Sequence, residues 1–329
     1  MRLLALPVPP FSCPTASVSE RQIGMRVRLL GTAAGGGFPQ WNCNCANCRG
    51  LRSGSLRAKT RTQSCVAISA DDEHWFLLNA SPDIRQQIEH APALAPKEDE
   101  WRDTRINGIL LSDADLDHTL GLFTLREGQP LTVYASPQVR QALTVGLPAS
   151  TVLEAYSGIY WQELAHTPTP LLHADGTVSQ LTYQAYPVAG KPPRYMEQRA
   201  EPQIGDRVGY RFVDQQTGGR LLFLPGLASF DTETRKYLGE CDAVLFDGTF
   251  WSENEMEISH VGSTTASQMG HLPVGGPEGS LNYLQSLAIK RIYIHINNTN
   301  PMLVEDSLEA SIVHEAGIEI GWDGLEFTL

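Results

Sequence analysis

An α/β fold, or a layered α+β sandwich, is what this sequence predicts. Nine short, strand-like apolar runs recur along the chain, and many stop at Gly, Ser, Asn or Asp, where a loop begins. Helix-compatible segments lie between these runs instead of collecting at one end. No short-period repeat, low-complexity tract or block of like charge breaks the pattern.

In chain order, VRLLG (27–31), SCVAIS (64–69) and HWFLLNA (74–80) are the first strands. A helix over Pro82–Glu89 follows, with proline in its first turn and an early acid. GILLS (108–112) is the next strand, and LTVYAS (131–136) precedes SPQVRQAL, a second Ser-Pro start that predicts a helix over Pro137–Thr144. Ala189–Asp206 is Pro-rich and polar, and reads as a long surface loop over a site or a domain edge. The strands VGYRFV (208–213), RLLFLPG (220–226), AVLFDG (243–248) and RIYIHI (291–296) complete the set. Helices are expected over Asp231–Gly239, Ser263–Met269, Ser280–Ala288 and Val304–His314. The first convincing strand begins just after a second methionine, Met25. Residues 1–24 are therefore expected to be a disordered extension and 25–329 one domain.

Composition excludes some functions. With 42% hydrophobic residues, the chain of 329 can bury a sizeable core. No run approaches the roughly 18 apolar residues of a membrane span. A formal charge of −12 without a basic patch argues against nucleic acid as a partner. The N-terminal apolar stretch is broken by Pro7, Pro9 and Pro10, which makes a poor export signal and points to the cytoplasm.

Two groups of residues carry metal chemistry. WNCNCANC places Cys43, Cys45 and Cys48 within six residues, a spacing that suits a structural tetrahedral Zn2+ better than disulfides. A fourth ligand is needed, with His271 favoured and Cys65 the lesser candidate. The other group begins at ILLSDADLDHTLGL, which sets Asp113, Asp115 and Asp117 at alternate positions ahead of His118. On a strand such residues share one face, and carboxylates crowded there call for a cation. Asp247 and His295 stand at other strand ends, and His260 lies in a turn. His118 and His295 with Asp117 or Asp247 would form the two-histidine, one-carboxylate set suited to Fe2+ with open positions.

LLGTAAGGGFPQWNCNCANCRG, LLNASPDIRQQI, SDADLDHTLGL, LFDGTFW, MGHLPVGGPEGSL and HINNTNPML together closely resemble the coenzyme PQQ synthesis protein B family, of the metallo-β-lactamase superfamily. The resemblance spans nearly everything from Met25 onward. It implies an αββα sandwich, a structural zinc on the cysteine triplet and a role in making pyrroloquinoline quinone (PQQ). The superfamily metal motif aligns with Ser112–His118, where Asp113 and Asp115 replace both histidines of its first metal site. A further histidine of that site is missing from YPVAG (186–190), and Pro225 and Gly226 stand where a bridging aspartate is usual. The resemblance thus implies that a hydrolytic pair of ions is lost and that one divalent metal remains on Asp117, His118, His295 and Asp247.

PQQ arises from a Glu and a Tyr of a peptide, and the tyrosine ring must be hydroxylated. The expected function is therefore an iron-dependent oxygenase acting on a cross-linked Glu–Tyr intermediate, with other PQQ-synthesis proteins as partners. Asp113 and Asp115 would then orient ligands or serve as general bases, and His260 would handle protons. Arg85, Lys191 and Arg194 are candidate carboxylate anchors; Trp41, Phe250 and Trp251 are candidates for an aromatic pocket. The alternative is a carrier that helps deliver PQQ or its precursor to the periplasm. A homodimer is compatible with either function.

Overall fold

The computed structural model describes residues 23–329, so the expected extension at 1–24 lies outside the described residues except for its last two positions. Fourteen strands form two seven-stranded sheets. In chain order β1 (Arg26–Gly31), β2 (Cys65–Ser69), β3 (Trp75–Leu78), β4 (Ile106–Leu110), β5 (Leu131–Ala135) and β6 (Ile159–Glu163) lie in the first. β7 (Thr169–Leu172), β8 (Val178–Pro187), β9 (Val208–Asp214), β10 (Arg220–Leu224), β11 (Ala243–Asp247), β12 (Lys290–Ile294) and β13 (Glu319–Ile320) form the second. β14 (Glu326–Thr328) returns to pair with β1 at the edge of the first sheet.

Each sheet changes from antiparallel to parallel pairing midway, with β3–β4–β5–β6 and β10–β11–β12–β13 parallel. The inner faces share one core in which Phe76, Leu110 and Tyr134 meet Tyr210, Phe223 and Ile292. Outer faces are covered by helices, through Ile84 and Val139 on one side and Leu238, Leu284 and Val313 on the other. Central strands β3, β4 and β11 are buried at every position because both of their faces are covered. This is the expected αββα sandwich. Among the described residues, no helix is long and apolar enough to cross a membrane.

Capping sets several helix starts. Ser136 accepts from the Val139 amide and Pro137 follows it, but the helix ends at Gln141 and passes into a π turn over Ala142–Gly146. Ser307 caps the last helix, so it runs Leu308–Glu315 and not from Val304. The helix expected over Ser263–Met269 shrinks to a single 3-10 turn, Ser267–Met269, ended by Gly270 at φ +82°. That expected over Ser280–Ala288 ends at Leu284. The cysteine stretch is not merely a loop, since Cys45 caps a helix over Ala46–Ser53.

Glu255 ties the turn after β11 to the loop after β12, accepting from the Trp251 amide and the Thr299 hydroxyl while 3% exposed. Burial pushes its carboxyl up to about 7. A folded-state value above the unfolded one means that the native state holds the extra proton. This contribution is therefore complete below about pH 4.5 and fades as pH rises through 7. Between pH 5 and 8 the stability of the parent is expected to fall relative to Glu255→Gln, by up to about 3 kcal/mol. Denaturant titrations across that range check it; parallel pH profiles would reject the buried-acid account.

Candidate metal centre

β4 stops at Leu110, so the three aspartates do not line one face of a strand. Asp113 and Asp115 lie in the following loop and Asp117 in a short helix, Leu116–Thr119. Each carboxylate consequently has a different partner. Asp113 is buried, with its oxygens 2.8 and 2.9 Å from Nδ1 of His118. Asp115 pairs with Arg207 at 3.0 Å. Asp117 reaches Nε2 of His295 at 3.3 Å and Nε2 of His118 at 3.9 Å.

With Nδ1–H of His118 donated to Asp113, its Nε2 lone pair faces inward. That Nε2 is buried and has no hydrogen-bond partner. Burial opposes a charge on the ring, yet Asp113 and Asp117 raise the His118 pKa to about 9, a measure of the negative potential at this point. The same pairing holds the Asp113 carboxyl far below the ordinary range despite its burial.

The ends of β11 and β12 supply the opposite wall. His295 adopts φ +55°, a left-handed conformation uncommon outside glycine, and turns its ring towards Asp117. The Thr249 hydroxyl lies 2.7 Å from His295 Nδ1 and 2.6 Å from Asp247 Oδ1. A chain from His295 Nδ1–H through Thr249 to Asp247 leaves Nε2 free as a ligand. Asp247 also accepts from the Leu227 and Thr249 amides and lies 2.7 Å from His271 Nδ1. Its carboxylate thereby orients the imidazoles, and ligand atoms of Asp247, His271 and His295 also lie within 4.8 Å of one another beside those of Asp117 and His118.

His271 departs from its expected place. It stands at this centre and not beside the cysteines, with its ring stacked on His295 at 5.3 Å between centroids. The cause is local: the His271 amide bonds Ala266 and the Leu272 amide bonds Leu227, stitching the segment to the end of β10. Burial lowers the pKa of the His271 ring, favouring its neutral form.

Ligand atoms from Asp117, His118 and His295 lie within 4.8 Å of one another. Metal–nitrogen and metal–oxygen bonds of roughly 2.0–2.2 Å set neighbouring ligand atoms roughly 3–3.6 Å apart, and the 3.3 and 3.9 Å from the Asp117 carboxylate to the two imidazoles fit one metal ion. Gly35 lies against it, since a Cβ there would stand 3.4 Å from the Asp117 carboxylate. Gly35 also lines a cavity of about 870 Å³, with Asn42, Cys43, His260, Asn297 and Asn298 among its other walls. His260 is thus at the cavity, away from the ligand cluster, with φ +56°. The segment 189–206 approaches the aspartate loop, where the Tyr195 hydroxyl donates to the Ala114 carbonyl.

The sulfurs of Cys43, Cys45 and Cys48 form a separate buried cluster without disulfides. Asn298, not His271, is the other polar group there, its amide 3.1, 3.5 and 3.3 Å from the three sulfurs. Cys65 is distant from the triplet in its contacts, its thiol donating to the Asn79 carbonyl. Such converging buried thiols suit a tetrahedral zinc.

Other candidates fall away from the centre. Arg85 and Arg194 are exposed, Lys191 pairs with Glu197, and Trp41 is 85% exposed. Phe250 is buried edge-on to His271. Arg207, Thr249 and Asn79 were missed by reading the sequence. Asn79, at φ +65°, bonds the Ser112 amide and fixes the start of the aspartate loop.

Residues 74–296 match the β-lactamase superfamily domain. Coenzyme PQQ synthesis protein B of Pseudomonas entomophila (strain L48) is 43% identical over 307 residues, covering 93% of this chain and 100% of that protein. The corresponding protein of Azotobacter vinelandii is 44% identical over 306 residues, with the same coverage. Among solved structures, Zn2+-bound PqqB from Methylobacterium extorquens aligns with a TM-score of 0.83 at 38% identity, covering 92% of this chain and 100% of that one. A diphosphatase of the PhnP family shares the fold alone, at 20% identity and a TM-score of 0.63. Likeness over the full length of these relatives, on a shared metallo-β-lactamase fold, places the chain in the coenzyme PQQ synthesis protein B family.

Proposed function

We propose that this chain is an iron-dependent oxygenase of PQQ synthesis that hydroxylates the tyrosyl ring of a cross-linked Glu–Tyr intermediate. The observation that carries this reading is the convergence of His118, His295 and Asp117 beside a cavity that can admit an aromatic substrate. Two imidazoles and one carboxylate leave coordination positions open. Fe2+ bound there supplies the chemistry that side chains lack, activation of O2. The remaining work belongs to the protein. Asp113 and Thr249 engage Nδ1 of His118 and His295 and so aim their Nε2 atoms inward. The Tyr195 hydroxyl, donating to the Ala114 carbonyl, steadies the loop that carries Asp113 and Asp115. His260, on the cavity wall, is placed to exchange protons with a bound phenol.

The test is anaerobic loading with Fe(II), followed by oxygen uptake with the cross-linked Glu–Tyr substrate, for the parent and His118→Ala. Oxygen consumption with mass gain on the tyrosyl ring, lost in the variant, is the expected result. Tight PQQ binding that survives both a chelator and His118→Ala, with no turnover, would make the chain a carrier.

A further inference from the structure

One buried charge at the centre has no part in that scheme. Arg207, at the entry to β9, is 5% exposed and surrounded by Asp113, Asp115, Asp117 and Asp247. Its guanidinium donates to Asp115 at 3.0 Å and to the Gly270 carbonyl at 3.2 Å. Room for it comes from glycines. A Cβ on Gly190 would lie 2.5 Å from its Cδ, and one on Gly226 would lie 2.6 Å from a terminal nitrogen. The cradle borders the metal centre, since that same Cβ on Gly226 would be 3.6 Å from His271. Buried carboxylates without a counter-charge are strongly unfavourable, so a cation is required on this side of the site.

We propose that the Arg207 guanidinium is that cation, filling the half of the centre between Asp115 and Gly226 and limiting this centre to one metal ion, at Asp117, His118 and His295. This rests on the reading that those three residues hold a metal, and loss of Mn2+ binding in His118→Ala tests that reading separately. Mn2+ suits oxygen and nitrogen ligands and not the thiolate cluster. The full chain, with the cysteines loaded with zinc, is dialysed against Mn2+ and its metal content measured for parent, Arg207→Lys and Arg207→Gln. Mn2+ content is expected to rise by about one ion per chain in Arg207→Gln, with a spin-coupled pair in its electron paramagnetic resonance spectrum, and to stay at the parent value in Arg207→Lys. If Arg207→Gln is unfolded without metal, added Mn2+ should restore its melting transition. An Arg207→Gln protein that folds with the parent's Mn2+ content, or that Mn2+ does not rescue, would overturn the proposal.

A second cluster stands apart from this centre. His74, in the β2–β3 turn, lies 2.7 Å from Asp71 through Nδ1, and its ring is 4.1 Å from that of His173 in the β7–β8 turn. Nδ1 of His173 is buried with no hydrogen-bond partner, and ligand atoms of all three residues lie within 4.8 Å of one another. Asp71 is itself fixed by the Glu73 and His74 amides. We infer that Asp71, His74 and His173 form a site for a transition-metal dication of the Zn2+ or Ni2+ class, joining a turn of one sheet to a turn of the other. Ni2+ titration calorimetry on zinc-loaded full chain tests it: one binding event should vanish in His173→Ala and persist in His118→Ala. Identical isotherms for the parent and His173→Ala would refute the site.

Discussion

Asp117→Ala is expected to bind Fe(II) at least about 100-fold more weakly than the parent and to consume no oxygen, with its circular dichroism unchanged. The Asp117 carboxylate is the one anion that faces the inward nitrogens of both histidines. It is partly exposed and stands in a short helix after β4 rather than in the core strands, so its removal should spare the fold. Asp113→Asn makes the informative contrast. All three ligands remain, but the amide no longer fixes the His118 tautomer as a carboxylate does. Loss of such an orienting group typically lowers metal affinity by about 10–100-fold. Anaerobic Fe(II) titration with an oxygen electrode measures both variants. Parent-like affinity in Asp117→Ala would remove Asp117 from the ligand set and with it the proposed centre.

The next largest effect is expected from Cys45→Ser, which should lose zinc and several kcal/mol of stability. Structural zinc contributes apparent free energies of about 10–16 kcal/mol in small domains; in a chain with its own large core only part of this should appear as lost stability. The damage should also reach the metal centre. Asn298 touches all three sulfurs, and the Asn47 side chain donates to the Asn298 and Asn300 carbonyls. These contacts brace the loop that leaves β12 through His295. Weaker Fe(II) binding should therefore accompany a lower melting temperature, in calorimetry and metal titration together. A variant that keeps both values would show that the triplet holds no structural metal.

Central strands were legible in the sequence because burial on both faces leaves continuous apolar runs, as in FLL of β3 and AVLF of β11. β6, β7 and β8 were not. They lie at or near sheet edges and mix exposed with buried positions, so IYWQE and VSQLTYQAYP lack a clear apolar run. The metal centre was partly legible: Asp117, His118 and His295 were named from strand ends and from the family resemblance, and the structure brings them together. His271 was assigned to the wrong cluster because spacing along the chain says nothing about where a turn after Gly270 points. Arg207 gave no signal, being a single cation between Asp206 and an apolar strand. Its meaning depends on glycines at 190, 226 and 270, which only the fold brings around it.

The pairing of β14 with β1 has a consequence for how the molecule is made. Arg28 and its partner Glu326 are separated by 298 residues, so at about 5–20 residues per second the first strand waits roughly 15–60 s on the ribosome for this neighbour. The cysteines emerge early, and Asn298, which completes their surroundings, is translated only near the end. Until then the three thiols lack the contacts that Asn298 makes to them in the folded chain. A zinc ion held by the triplet during that interval would take over this shielding, so zinc present during cell-free synthesis should give more native protein than zinc added after release.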